Sequence, residues 1–349
     1  MIAMAEKAQI SCVALISGGL DSTLASAIIK AQGIEVLGVF FYTGFCLTEH
    51  KRRVARAGEK LPRNEAIRAG ADLAIPIEVI DISDEYMNIL LHPKHGYGSA
   101  ANPCLDCRIE MLKRAKSYMQ EKGASFIITG EVVGQRPMTQ REFQLKLVGR
   151  ESGCEDILLR PLSAKKLKPT LPEREGWVDR ERLYGFTGRG RTPQIALAKE
   201  FGIRDYPQPA GGCCFLTDKN FANRLFDLYE HKKKNDIKWE DVTLLKIGRH
   251  FRLSDEVKLI VGRHETENLL LEEFEGDKIK MSAMDFKGPI ALLEGNPDEE
   301  LLKIAAGITA RYGKGRREKT VRVRCQYENK EEKVIEVAPE FDDLERWRI

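Results

Sequence analysis

A glycine-containing stretch near the N-terminus has the composition of a phosphate site. It reads Ser17-Gly18-Gly19-Leu20-Asp21-Ser22 and lies between an apolar run and a helix-like stretch that ends near Gln32. A buried strand, a glycine turn and a helix N-terminus present backbone N–H groups and the positive end of the helix dipole to an anion. Because Asp21 repels phosphate unless a cation lies between them, the loop predicts phosphate together with Mg²⁺. The loop lacks the lysine and the spacing of the G-x-x-x-x-G-K-[ST] motif.

Four of the eight cysteines are grouped in two short motifs. These motifs are Cys104-Leu105-Asp106-Cys107, which precedes a helix, and Cys213-Cys214, which follows two glycines. Thiols three residues apart beside a helix N-terminus have a lowered pKa and can share a metal ion or a cluster. The four thiols leave open a structural zinc, a redox pair that carries a persulfide, an iron–sulfur cluster held by three cysteines, or ordinary core packing. The remaining cysteines are predicted to be isolated thiols: Cys12, Cys46, Cys154 and Cys325.

Length and composition indicate a folded protein of two or three domains, with 349 residues of which 42% are hydrophobic. Eight cysteines are too few and too scattered for a disulfide scaffold. No signal peptide and no membrane-spanning stretch is visible, so reduced thiols in a cytoplasmic protein with no membrane partner are expected. The net charge of +3 says little about partners. Two basic segments, Arg160–Arg191 and Arg311–Lys330, suit a polyanion.

The first 160 or so residues alternate strand-like and helix-like segments. Strands are predicted at 13–16, 35–42, 74–82, 125–129 and 156–160, and helices at 22–32, 48–70 and 107–122. This alternation is typical of an α/β fold with a doubly wound parallel sheet, which binds ligands at the carboxyl ends of its strands. After Asp218 the pattern changes to short strands mixed with helical pieces. We therefore predict a domain of residues 1–216 and a smaller C-terminal α+β domain of residues 217–349.

Five segments together resemble the tRNA thiolation branch of the PP-loop ATP pyrophosphatase superfamily, which contains the 2-thiouridine and 4-thiouridine synthases. The segments are SGGLDS, NPCLDC, TGEVVGQRPMTQ, LLRPLS and GGCCF, all between residues 10 and 216. The resemblance implies an adenine nucleotide alpha hydrolase-like fold. In the C-terminal part, Gly248-Arg249-His250 and Gly262-Arg263-His264 are similar to RNA-binding modules of the NFACT type.

The resemblance also implies roles for the cysteines. NPCLDC resembles the NPDxxC motif of the 2-thiouridine synthases, which places Cys107 on the catalytic cysteine and Cys104 where that family carries aspartate. GGCCF resembles their GxCF segment, which places Cys214 on the persulfide-bearing cysteine and leaves Cys213 beside it. The departure at Cys104 makes the arrangement similar to tRNA thiolases that hold a 4Fe-4S cluster with three cysteines. Cys104, Cys107 and Cys214 are the expected cluster ligands.

The implied reaction uses ATP to adenylate a nucleobase carbonyl of tRNA, after which sulfur displaces AMP. Asp21 would hold Mg²⁺, and Gly130 would approach the nucleotide from the neighbouring strand. The residues expected to cradle the phosphates are Ser17, Gly18, Gly19, Ser22 and Thr23. The expected partners are tRNA and a sulfur donor, either a persulfide carrier or sulfide, and the family suggests a homodimer.

Three other functions stay open at this point. The same adenylation chemistry can work without a cluster if Cys107 and Cys214 pass a persulfide. A PP-loop synthetase that forms an amide would use ammonia and would leave the paired cysteines unexplained. An RNA-binding adaptor with a vestigial nucleotide pocket would have no use for the intact Ser17–Thr23 segment. The modified nucleoside is not specified by any of these motifs.

Overall fold

The computed structural model describes residues 10–47, 63–208, 214–274, 276–339 and 343–349. These residues form two compact units, which meet in sequence between Cys214 and Phe215. Within the described ranges, no helix is long and apolar enough to cross a membrane.

The N-terminal unit contains a five-stranded sheet in the order β3-β2-β1-β4-β5, and every neighbouring pair is parallel. The strands are β1 (Ser11–Leu15), β2 (Glu35–Tyr42), β3 (Ile77–Asp81), β4 (Phe126–Thr129) and β5 (Leu158–Leu159). The helices are α1 (Leu20–Lys30), α2 (Glu65–Leu73), α3 (Ser83–Leu91), α4 (Cys104–Glu121), α5 (Glu142–Glu151), α6 (Leu171–Arg174) and α7 (Thr192–Glu200). The predicted parallel α/β sheet is confirmed.

β1 is buried on both faces, which explains its uninterrupted apolar run. Cys12 and Ala14 point into one hydrophobic cluster, and Val13 and Leu15 into another on the opposite side of the sheet. The central strand is thereby held rigidly, and so is the loop that follows it.

One predicted helix is only partly visible. Most of the predicted 48–70 helix lies outside the described residues. Its described end belongs to α2, which begins after Asn64. The Asn64 side chain accepts hydrogen bonds from the backbone N–H groups of Ala66 and Ile67 at 3.0 and 3.2 Å, which is an ordinary N-cap.

The C-terminal unit contains a six-stranded antiparallel sheet in the order β11-β10-β8-β9-β7-β6. Its strands are β6 (Arg249–Arg252), β7 (Lys258–Val261), β8 (Ile279–Ala283), β9 (Ile290–Glu294), β10 (Val321–Gln326) and β11 (Glu332–Val337). Its helices are α8 (Lys219–His231), α9 (Trp239–Leu244), α10 (Glu265–Glu272) and α11 (Glu299–Arg311). The buried apolar face of α11 packs on the sheet, so the predicted α+β character is confirmed.

Candidate active site

The sheet order identifies where a ligand would bind in the N-terminal unit. Strands β2 and β3 continue to one side of β1, whereas β4 and β5 continue to the other. Adjacent connections therefore diverge between β1 and β4 and open a crevice at their carboxyl ends. The Ser17–Ser22 loop follows β1, and Gly130 follows β4, so both predicted phosphate-site segments lie at this crevice.

Local hydrogen bonds hold the loop against the start of α1. The Ser17 backbone N–H donates to Ser22 Oγ at 3.3 Å, and the two serine hydroxyl oxygens are 3.2 Å apart. Ser22 Oγ and Thr23 Oγ1 each donate to the Gly19 carbonyl oxygen at 3.0 Å. Thr23 is fully buried, so its hydroxyl serves the helix start, while Ser17 remains exposed.

Two glycines are required by close backbone contacts. Gly18 has φ +75°, and a Cβ there would lie 2.1 Å from the carbonyl carbon of Glu65. A Cβ on Gly130 would lie 2.4 Å from both the Asp21 carbonyl carbon and the Ser22 nitrogen. The end of β4 therefore contacts the phosphate loop directly, in a way that only glycine permits.

Asp21 presents a carboxylate oxygen with the properties of a cation ligand. Gln135 Nε2 donates to Asp21 Oδ2 at 2.9 Å, and a guanidinium nitrogen of Arg191 lies 3.5 Å from the same oxygen. Asp21 Oδ1 and Gln135 Oε1 are buried and have no hydrogen-bond partner among the described residues. Unsatisfied oxygens on two hydrogen-bonded side chains at this loop suit Mg²⁺, which takes few protein ligands and completes its shell with water and phosphate.

Arg191 lies beside Asp21, whereas Gln194 is a buried polar residue of α7 that no motif singled out. Arg191 stands immediately before α7 and its side chain does not cap that helix. Gln194, one turn into α7, is completely buried, and neither end of its amide has a partner within the described part of the chain. The glycine and arginine content of residues 185–191 is typical of a flexible loop that faces phosphate, and Arg191 is the last residue of that loop. Gln194 belongs to no motif in the sequence, so its burial could not be predicted.

The CxxC motif forms the first turn of α4. Cys104 and Cys107 are half-buried, and Asn102 Nδ2 donates to Cys104 Sγ at 3.0 Å. An amide donor favours a thiolate over a thiol. The pattern Asn102-Pro103-Cys104 predicts that Asn102 caps the cysteine turn, but Pro103 occupies the N-cap position and the Asn102 amide contacts sulfur instead.

Tyr86 of α3 is a buried residue near three cysteines that come from both motifs. Burial raises the pKa of Tyr86 well above its ordinary value, and the nearby thiols of Cys107, Cys214 and Cys104 raise it further, with a hydrogen bond from the phenol to Cys107. The structure thus brings both predicted cysteine motifs together around one buried polar group. Sequence reasoning missed Tyr86, since a tyrosine on an amphipathic helix carries no distinguishing signal.

Cys46 belongs to the same region, contrary to the prediction that it is isolated. Its backbone forms an antiparallel bridge with Cys214. The adjacent Phe45 ring is fully buried and lies 5.6 Å from the Tyr86 ring, measured between centroids. Four cysteines rather than three therefore surround this part of the unit. Cys213 lies outside the described residues.

A buried ionic group connects the cysteine helix to the phosphate crevice. Glu131 follows Gly130 and is 2% exposed. Its two carboxylate oxygens lie 2.9 Å from Arg160 Nε and 3.3 Å from Arg108 Nε. Burial alone would raise the pKa of Glu131, but Arg160 and Arg108 outweigh it and hold the pKa below its ordinary value. Since Arg108 is next to Cys107, the position of the thiol is coupled to the end of β4.

Asp106, between the two cysteines, fixes the other side of the same turn. It accepts from the His95 backbone N–H at 3.0 Å, and its second oxygen lies 2.8 Å from His95 Nδ1. His95 Nε2 in turn lies 3.3 Å from Glu151. Across the described ranges, no three His, Cys, Asp or Glu side chains are arranged to hold a single metal ion.

The fold and the loop place the N-terminal unit in the adenine nucleotide alpha hydrolase-like class. Residues 10–170 match the family described as tRNA methyl transferase HUP domain, and residues 248–348 match the NFACT protein RNA binding domain. More particularly, the chain resembles the tRNA thiolation enzymes of the PP-loop superfamily.

Individual relatives are distant. The chain is 24% identical to the tRNA-specific 2-thiouridylase MnmA of Geotalea uraniireducens over 60% of this chain and 55% of the relative. It is 28% identical to the MnmA of Geobacter metallireducens over 64% of this chain and 60% of the relative. It thus spans little more than half the length of these relatives. Among solved structures, a 4-thiouridine synthetase–RNA complex with bound ATP matches with TM-score 0.36, 20% identity and coverage of 55% of this chain and 41% of that one.

Proposed function

We propose that the protein is an ATP-dependent tRNA sulfurtransferase that replaces a nucleobase carbonyl oxygen with sulfur. The observation that carries this proposal is the coupling of two sites within one unit. The phosphate crevice contacts Gly130, and the next residue, Glu131, pairs with the arginine beside Cys107. A nucleotide pocket and a group of thiols held on one rigid frame suit adenylation followed by attack of sulfur.

In the first step the nucleobase oxygen attacks the α-phosphorus of ATP, and pyrophosphate leaves. The Ser17 hydroxyl and the backbone N–H groups of the loop contact the pyrophosphate oxygens, on which charge develops. Arg191, which lies 3.5 Å from Asp21, adds a cation. Asp21 and Gln135 would hold Mg²⁺, which supplies charge neutralisation when bound.

In the second step a sulfur nucleophile attacks the activated carbon, and AMP leaves with the former carbonyl oxygen. Thiols from two separate segments are the type of donor that iron–sulfur clusters need, and in a cluster each cysteine binds a different iron. Cys104, Cys107 and Cys214 would hold the cluster, and an iron without a protein ligand would offer a site for sulfide. Hydrogen bonds from Tyr86 to Cys107 and from Asn102 to Cys104 would stabilise negative charge on those two sulfurs.

A persulfide route is the second candidate, and the approach of Cys107 and Cys214 to the same hydroxyl supports it. There a Cys214 persulfide attacks the carbon and AMP leaves. Cys107 then attacks the Cys214 sulfur, which releases the thiolated base and leaves a Cys107–Cys214 disulfide. A thiol reductant must restore the two cysteines.

Two measurements test the proposal. ATP–pyrophosphate exchange with and without tRNA tests adenylation, for which we expect tRNA-dependent exchange that Asp21→Asn abolishes. Absence of exchange under both conditions would contradict it. Anaerobic purification of the wild type and of Cys104→Ala, followed by iron and sulfide analysis, separates the two sulfur routes. A cluster predicts about four irons per chain, lost in the variant, whereas the persulfide route predicts an iron-free and active Cys104→Ala.

A further inference from the structure

The repeated Gly-Arg-His sequence of the C-terminal unit forms one cluster. Arg249 of β6 is the register partner of Val261 of β7, so Gly248-Arg249-His250 and Gly262-Arg263-His264 lie side by side at the same end of this strand pair. We call these two tripeptides together with Arg224 the twin-GRH cluster. A Cβ on Gly248 would lie 2.7 Å from the Val261 carbonyl oxygen, and Gly248 has φ +74°. Glycine is therefore what lets the two motifs approach.

The arginines of the cluster outnumber its carboxylates. Arg263 pairs with buried Glu267 at 2.5 Å. Within the described ranges neither Arg224 nor Arg249 forms an ion pair with a carboxylate. Arg249 donates weakly to the Gly262 carbonyl oxygen at 3.4 Å and stacks 4.5 Å from the centre of the Tyr312 ring.

Buried nitrogen atoms of the cluster also lack partners. Arg224 donates to the Leu245 carbonyl oxygen at 2.9 Å through one terminal nitrogen. Its Nε and the Nδ1 of His264 are buried without a hydrogen-bond partner among the described residues. Burial, followed by the nearby charge of Arg263, lowers the pKa of Arg224 to about 10. Buried nitrogens without partners and repulsion between neighbouring arginines both cost free energy. An anion placed among them would accept the missing hydrogen bonds and offset the repulsion.

Tyr312 links this cluster to the second basic segment of the sequence. It follows the last residue of α11, and the exposed Lys314, Arg316 and Arg317 come directly after it. The contact between Arg249 and Tyr312 therefore places the start of the basic loop beside the twin-GRH cluster. An anion site that continues into the basic loop after Tyr312 suits an extended polyanion better than a small ion.

We propose that the twin-GRH cluster binds a backbone phosphate of the tRNA, with Arg249, Arg263 and Arg224 as its donors and the loop after Tyr312 following the neighbouring phosphates. This inference rests on the proposed function for the identity of the RNA. The cluster positions the substrate and takes no part in the chemistry at the N-terminal site.

The test is tRNA binding without ATP, measured by filter retention over a series of salt concentrations, for the wild type, Arg249→Gln and Arg322→Gln. Arg322 is the matched control because it lies in the same unit and is already neutralised by Asp285, with contacts of 2.5 and 3.1 Å. Arg249→Gln should weaken binding about tenfold and reduce the slope of log affinity against log salt by about one. Arg249→Lys should restore the slope. Equal slopes and affinities for all variants would overturn the proposal.

A second measurement needs no variant. Arg249 and Arg263 of the wild-type chain should react with phenylglyoxal, and tRNA should protect both, as read by peptide mass mapping. Modification that tRNA does not reduce would overturn the proposal even if Arg249→Gln failed to fold. Both assays are independent of sulfur transfer. A chain that binds tRNA through the cluster and never thiolates it would contradict the proposed function alone.

Discussion

At the residue scale, Gly130 determines how the sheet and the phosphate loop fit together. Gly130→Ala places a methyl group 2.4 Å from two backbone atoms of the loop, which cannot yield as a flexible side chain would. We expect a loss of about 1–3 kcal/mol in the free energy of unfolding and a marked loss of ATP affinity. Urea unfolding and calorimetric ATP titration measure the two effects.

The control for this substitution is Gly190→Ala. No atom lies within 4 Å of the Cβ position at Gly190, and its φ is not positive. Its free energy of unfolding should stay within about 0.5 kcal/mol of the wild type. Equal free energies of unfolding for the two variants would contradict a steric clash between a Gly130 side chain and the loop.

Cys46 gives a second prediction at the residue scale. Facing residues of an antiparallel pair have Cα atoms about 4.5–5.5 Å apart, which lies within the range of disulfides. Hydrogen peroxide should therefore oxidise Cys46 and Cys214 to a disulfide with release of water, and sulfur transfer should stop until a thiol reductant is added. Peptide mass mapping identifies the bond. Inactivation of Cys46→Ser by peroxide to the same extent would contradict this pairing.

At the element scale, the loop that precedes α7 supplies a cation to the phosphate crevice. Arg191→Gln should raise the KM for ATP in pyrophosphate exchange about tenfold, the equivalent of roughly 1.5 kcal/mol for a charge-assisted hydrogen bond. Arg189→Gln is the matched control, since Arg189 lies in the same loop and is exposed. If the two variants have the same KM, Arg191 does not contact the nucleotide.

Strand β6 makes the C-terminal unit sensitive to acid through His250. Burial lowers the pKa of His250 well below its ordinary value, and Lys258 on β7 and Arg224 on α8 lower it further. Below a pH of about 6.5, His250 binds a proton in the unfolded chain but stays neutral in the native state. The stability from neutral His250 is thus complete above that pH and falls by up to about 1.4 kcal/mol per pH unit as the pH drops toward the native pKa.

Thermal unfolding between pH 7.5 and 5 measures this dependence. His250→Gln, which can still donate to the Ile247 carbonyl oxygen, should flatten it. His92→Gln, an exposed histidine of the other unit, should leave it unchanged. A wild-type profile for His250→Gln would exclude His250 as its source.

Several elements could be predicted from sequence because local patterns define them. The strand 35–42 has the predicted bounds, and the CxxC helix begins three residues before its predicted start. The contacts around Tyr86 could not be predicted, since they join α3, α4 and Cys214 across long chain separations. Arg160 lies in the LLRPLS segment and in the first basic segment, but neither pattern predicted that it would pair with buried Glu131. Arg108 and Arg160 become partners of Glu131 only through the folding of the sheet.

At the scale of the whole molecule, the chain combines a parallel α/β unit, which carries the Ser17–Ser22 loop and the cysteine motifs, with an antiparallel unit that matches an RNA-binding domain. Each unit has its own hydrophobic core. The proposed function assigns the chemistry to the first unit and the capture of tRNA to the second. Substitutions in the twin-GRH cluster should therefore change tRNA affinity and leave the rate at saturating tRNA almost unchanged.

The most direct test of the central claim is nucleoside analysis after reaction. The full chain is incubated anaerobically with ATP, Mg²⁺, unmodified tRNA and either sulfide or a persulfide donor, and the digested tRNA is examined by liquid chromatography and mass spectrometry. The account predicts one nucleoside whose mass increases by the exchange of an oxygen for a sulfur, formed with an equal amount of AMP and absent for Asp21→Asn. Formation of AMP and pyrophosphate without any sulfur-containing nucleoside would contradict it.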